Sequence, residues 1–204
     1  VKSVIPDSDL HGPILTASDR ETLAGHRGAV VWFTGLSGSG KTTVAREVDR
    51  GLFDTGRRSF MLDGDVLRTG LNRDLGFSPE DRDENLRRFT EVSRLFAEAG
   101  VLCLVSAITP YESTRQRARE RIGAERFVLV HVATPLEVCE ARDAKGLYQR
   151  ARAGEIKDFT GISAPYEEPT NADVVLHPGD GDPATMGRRV MEVLEQRGLI
   201  TSPA

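Results

Sequence analysis

The chain has 204 residues, a formal net charge of −4 and a hydrophobic fraction of 39%. That length suits a single α/β domain with a real core, and the acidic balance excludes a global basic field that would recruit nucleic acid. No run reaches transmembrane length and no apolar signal core opens the chain, so neither a membrane partner nor secretion is expected.

Residues 1–28 are polar, are punctuated by Pro6, Gly12, Pro13 and Gly25, and read as a leader segment with a short helix over Ser18–Ala24. The first residue, Val1, fits an excerpt of a longer polypeptide. From residue 29 to residue 204 strand and helix patterns alternate, as in one domain. Ala29–Thr34 is apolar enough for a buried parallel strand. Residues 35–42, Gly35-Leu36-Ser37-Gly38-Ser39-Gly40-Lys41-Thr42, fit Gly-x-x-x-x-Gly-Lys-[Ser/Thr], the phosphate-binding P-loop. A helix over Thr42–Phe53 follows, with Val44, Val48 and Leu52 on one face.

Strand, glycine loop and helix stand in the order that phosphate binding requires. Glycines let backbone N–H groups converge on phosphate oxygens, Lys41 supplies positive charge to the β- and γ-phosphates, and Thr42 offers a hydroxyl to Mg²⁺. The helix adds the positive end of its dipole.

Arg58–Asp63 reads as the second strand, ending in Asp63-Gly64-Asp65. At a strand's carboxyl end these acids share the P-loop's cleft: Asp63 as base or orienter of an attacking hydroxyl, Asp65 as a Mg²⁺ partner through water. The bland alternative is a turn with Asp65 capping the next helix. Pro79–Ala99 is a long amphipathic helix with Leu86, Phe89, Val92, Leu95 and Phe96 on one face, closed by Gly100.

Val101–Ser106 is the third strand, Ser113–Ile122 a helix, Phe127–Val132 the fourth strand and Pro135–Arg142 a helix. Residues 143–170 lack a clean period and exceed an ordinary connector, so they read as a functional lid. Val174–Leu176 and Pro183–Arg197 close the pattern as fifth strand and last helix. Cys103 and Cys139 sit in strand and helix patterns as core thiols, and a reducing cytoplasm is the expected setting.

Alternating βα units imply a three-layer α/β fold of the P-loop NTPase type: a parallel sheet, helices on both faces and a lid. Ligands then bind at the strands' carboxyl ends. No Asn-Lys-x-Asp stretch for guanine is present, and no acid ends Val101–Ser106. A GTPase and a motor are thereby disfavoured, leaving a small-molecule kinase. Only four of the 27 basic residues are lysines (Lys2, Lys41, Lys145 and Lys157), and arginine suits phosphate and sulfate.

Further motifs carry a family resemblance. They are Trp32 through Thr42, Leu62-Asp63-Gly64-Asp65, Arg68, Gly70-Leu71-Asn72, Asp74 through Ser78, Asp81-Arg82, Glu84-Asn85 with Arg87-Arg88, and Ala107-Ile108-Thr109-Pro110-Tyr111. In the lid they are Lys145 through Tyr148, Ala151 through Ile156, Phe159 through Ile162 and Pro165-Tyr166-Glu167. From about Gly25 to about Val175 the chain resembles the adenylyl-sulfate kinase (APS kinase) family.

The resemblance implies transfer of the γ-phosphoryl of MgATP to the 3′-hydroxyl of adenosine 5′-phosphosulfate (APS), giving 3′-phosphoadenosine 5′-phosphosulfate and ADP in sulfate activation. It implies ATP contacts from Gly35, Leu36, Ser37, Gly38, Ser39, Gly40, Lys41, Thr42, Thr43 and Arg142. It implies substrate contacts from Asp65, Arg68, Asn72, Phe77, Arg82, Asn85, Ile108, Lys145, Leu147 and Phe159. Within that set, Arg68, Arg82 and Asn85 hold the phosphosulfate and ribose, while Phe77 and Phe159 sandwich the adenine.

Lys41, Asp63, Asp65 and Lys145 are the implied catalytic groups, with Mg²⁺ on Thr42 and, through water, on Asp63 and Asp65. A homodimer, and fusion to or association with ATP sulfurylase, belong to the same expectation. Thr109 stands where some members carry a phosphorylated serine. It is a candidate nucleophile, although direct in-line transfer needs none, and scaffold is the favoured reading. Glu112 and Ala144 also depart from the family pattern. A kinase for another hydroxyl acceptor and a nucleotide-binding regulatory domain are the competing readings.

Overall fold

The computed structural model describes residues 15–201. Five strands form one parallel sheet in the order β2-β3-β1-β4-β5. The central strand β1 (Ala29–Thr34) pairs with β3 (Leu102–Ser106) and β4 (Phe127–Val132), while β2 (Ser59–Asp63) and β5 (Val174–Leu176) form the edges. With both faces covered, β1 is buried at every residue, which explains its unbroken apolar run.

Period-two alternation sorts β1 between two helical layers. Val31 and Phe33 pack with Val44, Val48 and Leu52 of α2 (Lys41–Asp54) and with Val190 and Leu194 of α8 (Pro183–Gln196). Val30 and Trp32 pack with Leu86 and Phe89 of α4 (Pro79–Glu98) and Ala118 and Ile122 of α5 (Glu112–Ile122). A Cβ at Gly187 would stand 2.9 Å from the Cβ of Glu47, so the approach of α8 to α2 requires glycine. Cys103 and Cys139 are both buried free thiols, as core residues should be, and burial raises both above the ordinary thiol range.

The remaining helices are α1 (Ala17–Ala24), α3 (Gly64–Thr69), α6 (Leu136–Arg142) and α7 (Leu147–Arg152). Residues 1–14 of the expected leader lie outside the described residues. Its helix α1 is capped by a Thr16–Asp19 capping box and tied down by Glu21, which accepts from the Gly28 N–H at 3.1 Å and pairs with Arg126 at 3.1 Å. The sequence pattern does not reveal α3 and α7, each of which spans six residues and is too short to express a helical period. Asp143 starts α7 by accepting from the N–H groups of Tyr148 (3.0 Å) and Gln149 (2.9 Å).

All strands run the same way, so Thr34, Asp63, Ser106 and Val132 end on one edge of the sheet. The glycine loop, the start of α3, the β3–α5 turn and the lid meet there.

Candidate active site

The loop after β1 lies hard against β4. Gly35 has φ +148°, and a Cβ on it would come 2.6 Å from the Val132 carbonyl oxygen and 2.8 Å from Ser39 Oγ. No larger residue fits without moving the loop. Lys41 opens α2 in a buried position, and its ammonium donates to the carbonyls of Gly35 (3.0 Å) and Leu36 (2.6 Å). Burial pushes Lys41 down to about 8, against the opposing pull of Cys139 and Asp63.

Thr42 Oγ1 donates to Asp63 Oδ2 at 2.8 Å and lies 3.0 Å from Ser106 Oγ. The other Asp63 oxygen accepts from the Asp65 N–H at 2.9 Å, so Asp63, not Asp65, is the cap of α3. Asp63 therefore caps a helix and reaches the P-loop threonine at once. Three hard oxygen donors in contact suit a small divalent cation. Among the described residues no three His, Cys, Asp or Glu side chains form a self-sufficient cage. Such donors fit a magnesium ion that completes its shell with phosphate and water oxygens.

Opposite the loop, α3 and α4 grip residues 70–78. Arg68 donates to the carbonyls of Leu75 (3.2 Å) and Gly76 (2.9 Å) and lies 4.2 Å over the Phe77 ring. Arg82 Nε donates to the Phe77 carbonyl at 2.9 Å. Arg88 takes Asp74 in a fork at 2.7 and 2.8 Å. Burial first, and the Arg82 cation next, pull Arg68 below the usual arginine range. Two cations that disfavour each other form a corner that an anion relieves. The Phe77 ring is 66% exposed.

The other sequence-derived positions divide. Asn85 is buried and accepts from Asn72 Nδ2 at 2.9 Å. Asn72, expected to touch substrate, is fully buried in this structure, with its amide spent on Asn85. Thr109 is 1% exposed and accepts the Trp32 indole N–H at 2.9 Å, surroundings that suit the favoured scaffold reading. Its neighbour Ile108 is half-buried, and its carbonyl takes the Thr34 hydroxyl at 2.5 Å.

From the lid, the Lys145 ammonium pairs with the Asp65 carboxylate across the cleft. Arg142 Nη1 reaches the Gly38 carbonyl at 3.5 Å. Phe159, expected to stack on a base, packs edge-on to Tyr148 (5.1 Å, 77°) in an apolar cluster with Leu36, Leu136 and Leu147. Lid glycines and charges hide this small core from a periodicity reading.

Four residues that touch the site have no role assigned from the sequence, although Tyr148 and Tyr166 stand in the lid motifs. Ser106 meets Thr42. Tyr148 donates to the Ser37 carbonyl at 2.8 Å and so ties lid to loop. The Tyr166 hydroxyl is 3.1 Å from Thr34 Oγ1, and Arg115 is buried beneath the β3–α5 turn. Arg115 had no visible signal, because it sits in an arginine-rich helix that reads as a solvated face. A cavity of about 730 Å³ opens beside Leu36, bounded by His131, Thr134, Leu136, Ser163 and Tyr166.

A polyphosphate cradle facing a basic corner across one cleft is what phosphoryl transfer to a small anionic acceptor needs, and with this fold it defines a P-loop small-molecule kinase. The comparisons fix the family. The Adenylylsulphate kinase family model matches residues 27–177, and the chain belongs to that family.

The adenylyl-sulfate kinase of Shewanella amazonensis is 50% identical over 190 residues, which cover 93% of this chain and 96% of the relative. The Mycobacterium tuberculosis APS kinase CysC, solved in complex with AMPPNP and APS, matches at TM-score 0.79 and 51% identity, over 83% of this chain and 99% of that one. A hexameric APS kinase from Thiobacillus denitrificans matches at TM-score 0.66 and 30% identity, over 89% of this chain and 31% of that one.

Proposed function

We propose that this protein transfers the γ-phosphoryl of ATP to the 3′-hydroxyl of adenosine 5′-phosphosulfate. The 3′-oxygen bonds to the γ-phosphorus, the bond to the bridging oxygen breaks, and ADP leaves with that electron pair. The hydroxyl proton passes to the Asp63 carboxylate. The observation that carries this reading is the contact of Asp63 with P-loop Thr42, which puts an acceptor for that proton beside the phosphate cradle.

In this reading Gly35 through Thr43 and Arg142 hold ATP. Lys41 exchanges its carbonyl partners for phosphate oxygens and meets the charge that develops in transfer. Thr42 and, through water, Asp63 and Asp65 would hold magnesium beside Ser106, and the ion when bound neutralises phosphate charge. Arg68 and Arg82 take the acceptor's phosphosulfate, Asn85 and Ile108 line its ribose and base, and Phe77 stacks on the adenine with Phe159 and Leu147 as the lid's wall. Lys145 leaves Asp65 for the incoming anion. The working unit in this proposal is a cytoplasmic homodimer, which sedimentation of the purified protein tests.

The test of the activity is product detection with MgATP and APS, run beside adenosine, AMP and gluconate as acceptors and with EDTA. Product from APS alone, abolished by EDTA, is expected. Turnover of another acceptor in its place, or ATP binding without any product, overturns the reading.

A further inference from the structure

Arg115 is 1% exposed, and its partners lie on two segments, the turn that leads from β3 into α5 and the lid's return. Nη1 donates to the Thr109 carbonyl at 2.8 Å, in the turn after β3. Nη2 donates to the Glu167 carbonyl at 2.7 Å, where the lid returns to the body. Nη2 and Nε both reach Glu112 Oε2, at 2.7 and 3.1 Å. The circuit closes without the arginine as well: Glu167 Oε2 accepts from the Glu112 N–H at 2.7 Å, and the Glu167 N–H donates to the Pro110 carbonyl at 2.8 Å.

The turn so gripped is strained. Thr109 has φ +45°, a left-handed backbone that a β-branched residue avoids. Its hydroxyl is fixed by Trp32 and its carbonyl by Arg115, and the Thr34 hydroxyl bridges the Ile108 carbonyl to Tyr166 of the lid. A buried cation with one carboxylate and two carbonyls as partners is costly to rearrange, because any lost partner leaves a buried polar group unpaired.

We infer that Arg115 is a positioning residue that locks the lid's return segment, Pro165–Glu168, to the Ile108–Glu112 turn. The lid then hinges from a fixed base, and the acceptor-side wall keeps one register against the P-loop. This rests on the kinase reading for its effect on turnover, but not for its effect on the lid.

Arg115→Lys keeps the charge and loses the planar fork, so it cannot serve all three acceptor groups. The acceptor KM should rise about tenfold while the KM for ATP changes less than about twofold, since the ATP cradle is held by β1 and α2. Amide hydrogen exchange in 160–168 should speed up in the same variant, with the α2 amides unchanged. Arg117→Gln, an exposed neighbour on the same helix that pairs with Asp83, should move neither. Glu112→Gln retains an acceptor and is the gentler variant if Arg115→Lys fails to fold; it should move both readouts in the same direction by less.

Unchanged exchange in 160–168, or an unchanged acceptor KM in folded enzyme, overturns the inference. A wild-type chain inactive on APS would defeat the kinase reading alone, and the exchange arm would still decide the role of Arg115.

Discussion

The two sides of the cleft are built by different means. The nucleotide side is a by-product of the core: β1 is wholly buried, Gly35 is pressed on Val132, and Lys41 is buried against backbone carbonyls. On the acceptor side the groups that face the cleft, above the buried Asn72–Asn85 pair and the Arg115 lock, are held by exposed contacts: Arg68 on the Leu75 and Gly76 carbonyls, Arg88 on Asp74, Lys145 on Asp65. The first side is preorganised by packing, which changes little when a ligand arrives. The second is held by partners that an anion can replace, because surface pairs contribute only about 0–1 kcal/mol each. One side is fixed throughout, and the other presents exchangeable contacts on a buried base.

The sharpest way to break that contrast is at Lys41. Lys41→Ala should lower kcat about 10²–10³-fold, the usual consequence of removing one preorganised electrostatic group. Steady-state rates measure it, and a near-normal kcat would take the nucleotide side out of the chemistry. Arg68→Ala comes next. Loss of a charge-assisted contact of about 1.5–3 kcal/mol should raise the APS KM about 10–100-fold and leave ATP binding unchanged. An equal loss in ATP binding would mean that the two sides are one unit.

The pH dependence sharpens the contrast further. Lys41 in the free protein titrates at about 8, and a bound triphosphate favours its charged form. Nucleotide binding above that pH must therefore take up a proton and should weaken, by at most about tenfold per pH unit, whereas below it Lys41 contributes no slope. Calorimetry in buffers of different ionisation heat measures the uptake. Binding that is independent of pH between 7 and 9.5 would place the Lys41 titration elsewhere. The smallest effect is expected at Phe77. Phe77→Ala should raise the APS KM about 2–10-fold, from a stacking contribution of about 0.5–1.5 kcal/mol, with the ATP constant unmoved.

What the sequence displayed follows the same division. The five strands and the long helices were legible within a residue or two, because each buries an apolar stripe with a definite period. The P-loop was legible because its chemistry demands particular residues at fixed spacing. Short α3 and α7 were not, since six residues carry no period and depend on caps from Asp63 and Asp143. Residue roles on the acceptor side were the hardest to read. Asn72 and Thr109 lie in motifs that resemble a binding site, yet both side chains are enclosed and bonded to Asn85 and Trp32. Burial of a polar side chain is set by tertiary neighbours, and nothing local to the motif records it. Arg115 shows the converse: it is an apparent surface arginine whose partners come from the turn after β3 and from the lid.

In the proposed reaction the γ-phosphoryl of ATP ends on the acceptor's 3′-oxygen. The direct measurement is to supply γ-labelled ATP with APS and treat the product with a 3′-specific nucleotidase. The expected result is label in a nucleotide product, released as phosphate by that enzyme with regeneration of APS. Label found only as free phosphate before the treatment, or in a product resistant to it, would rule out transfer to the 3′-oxygen.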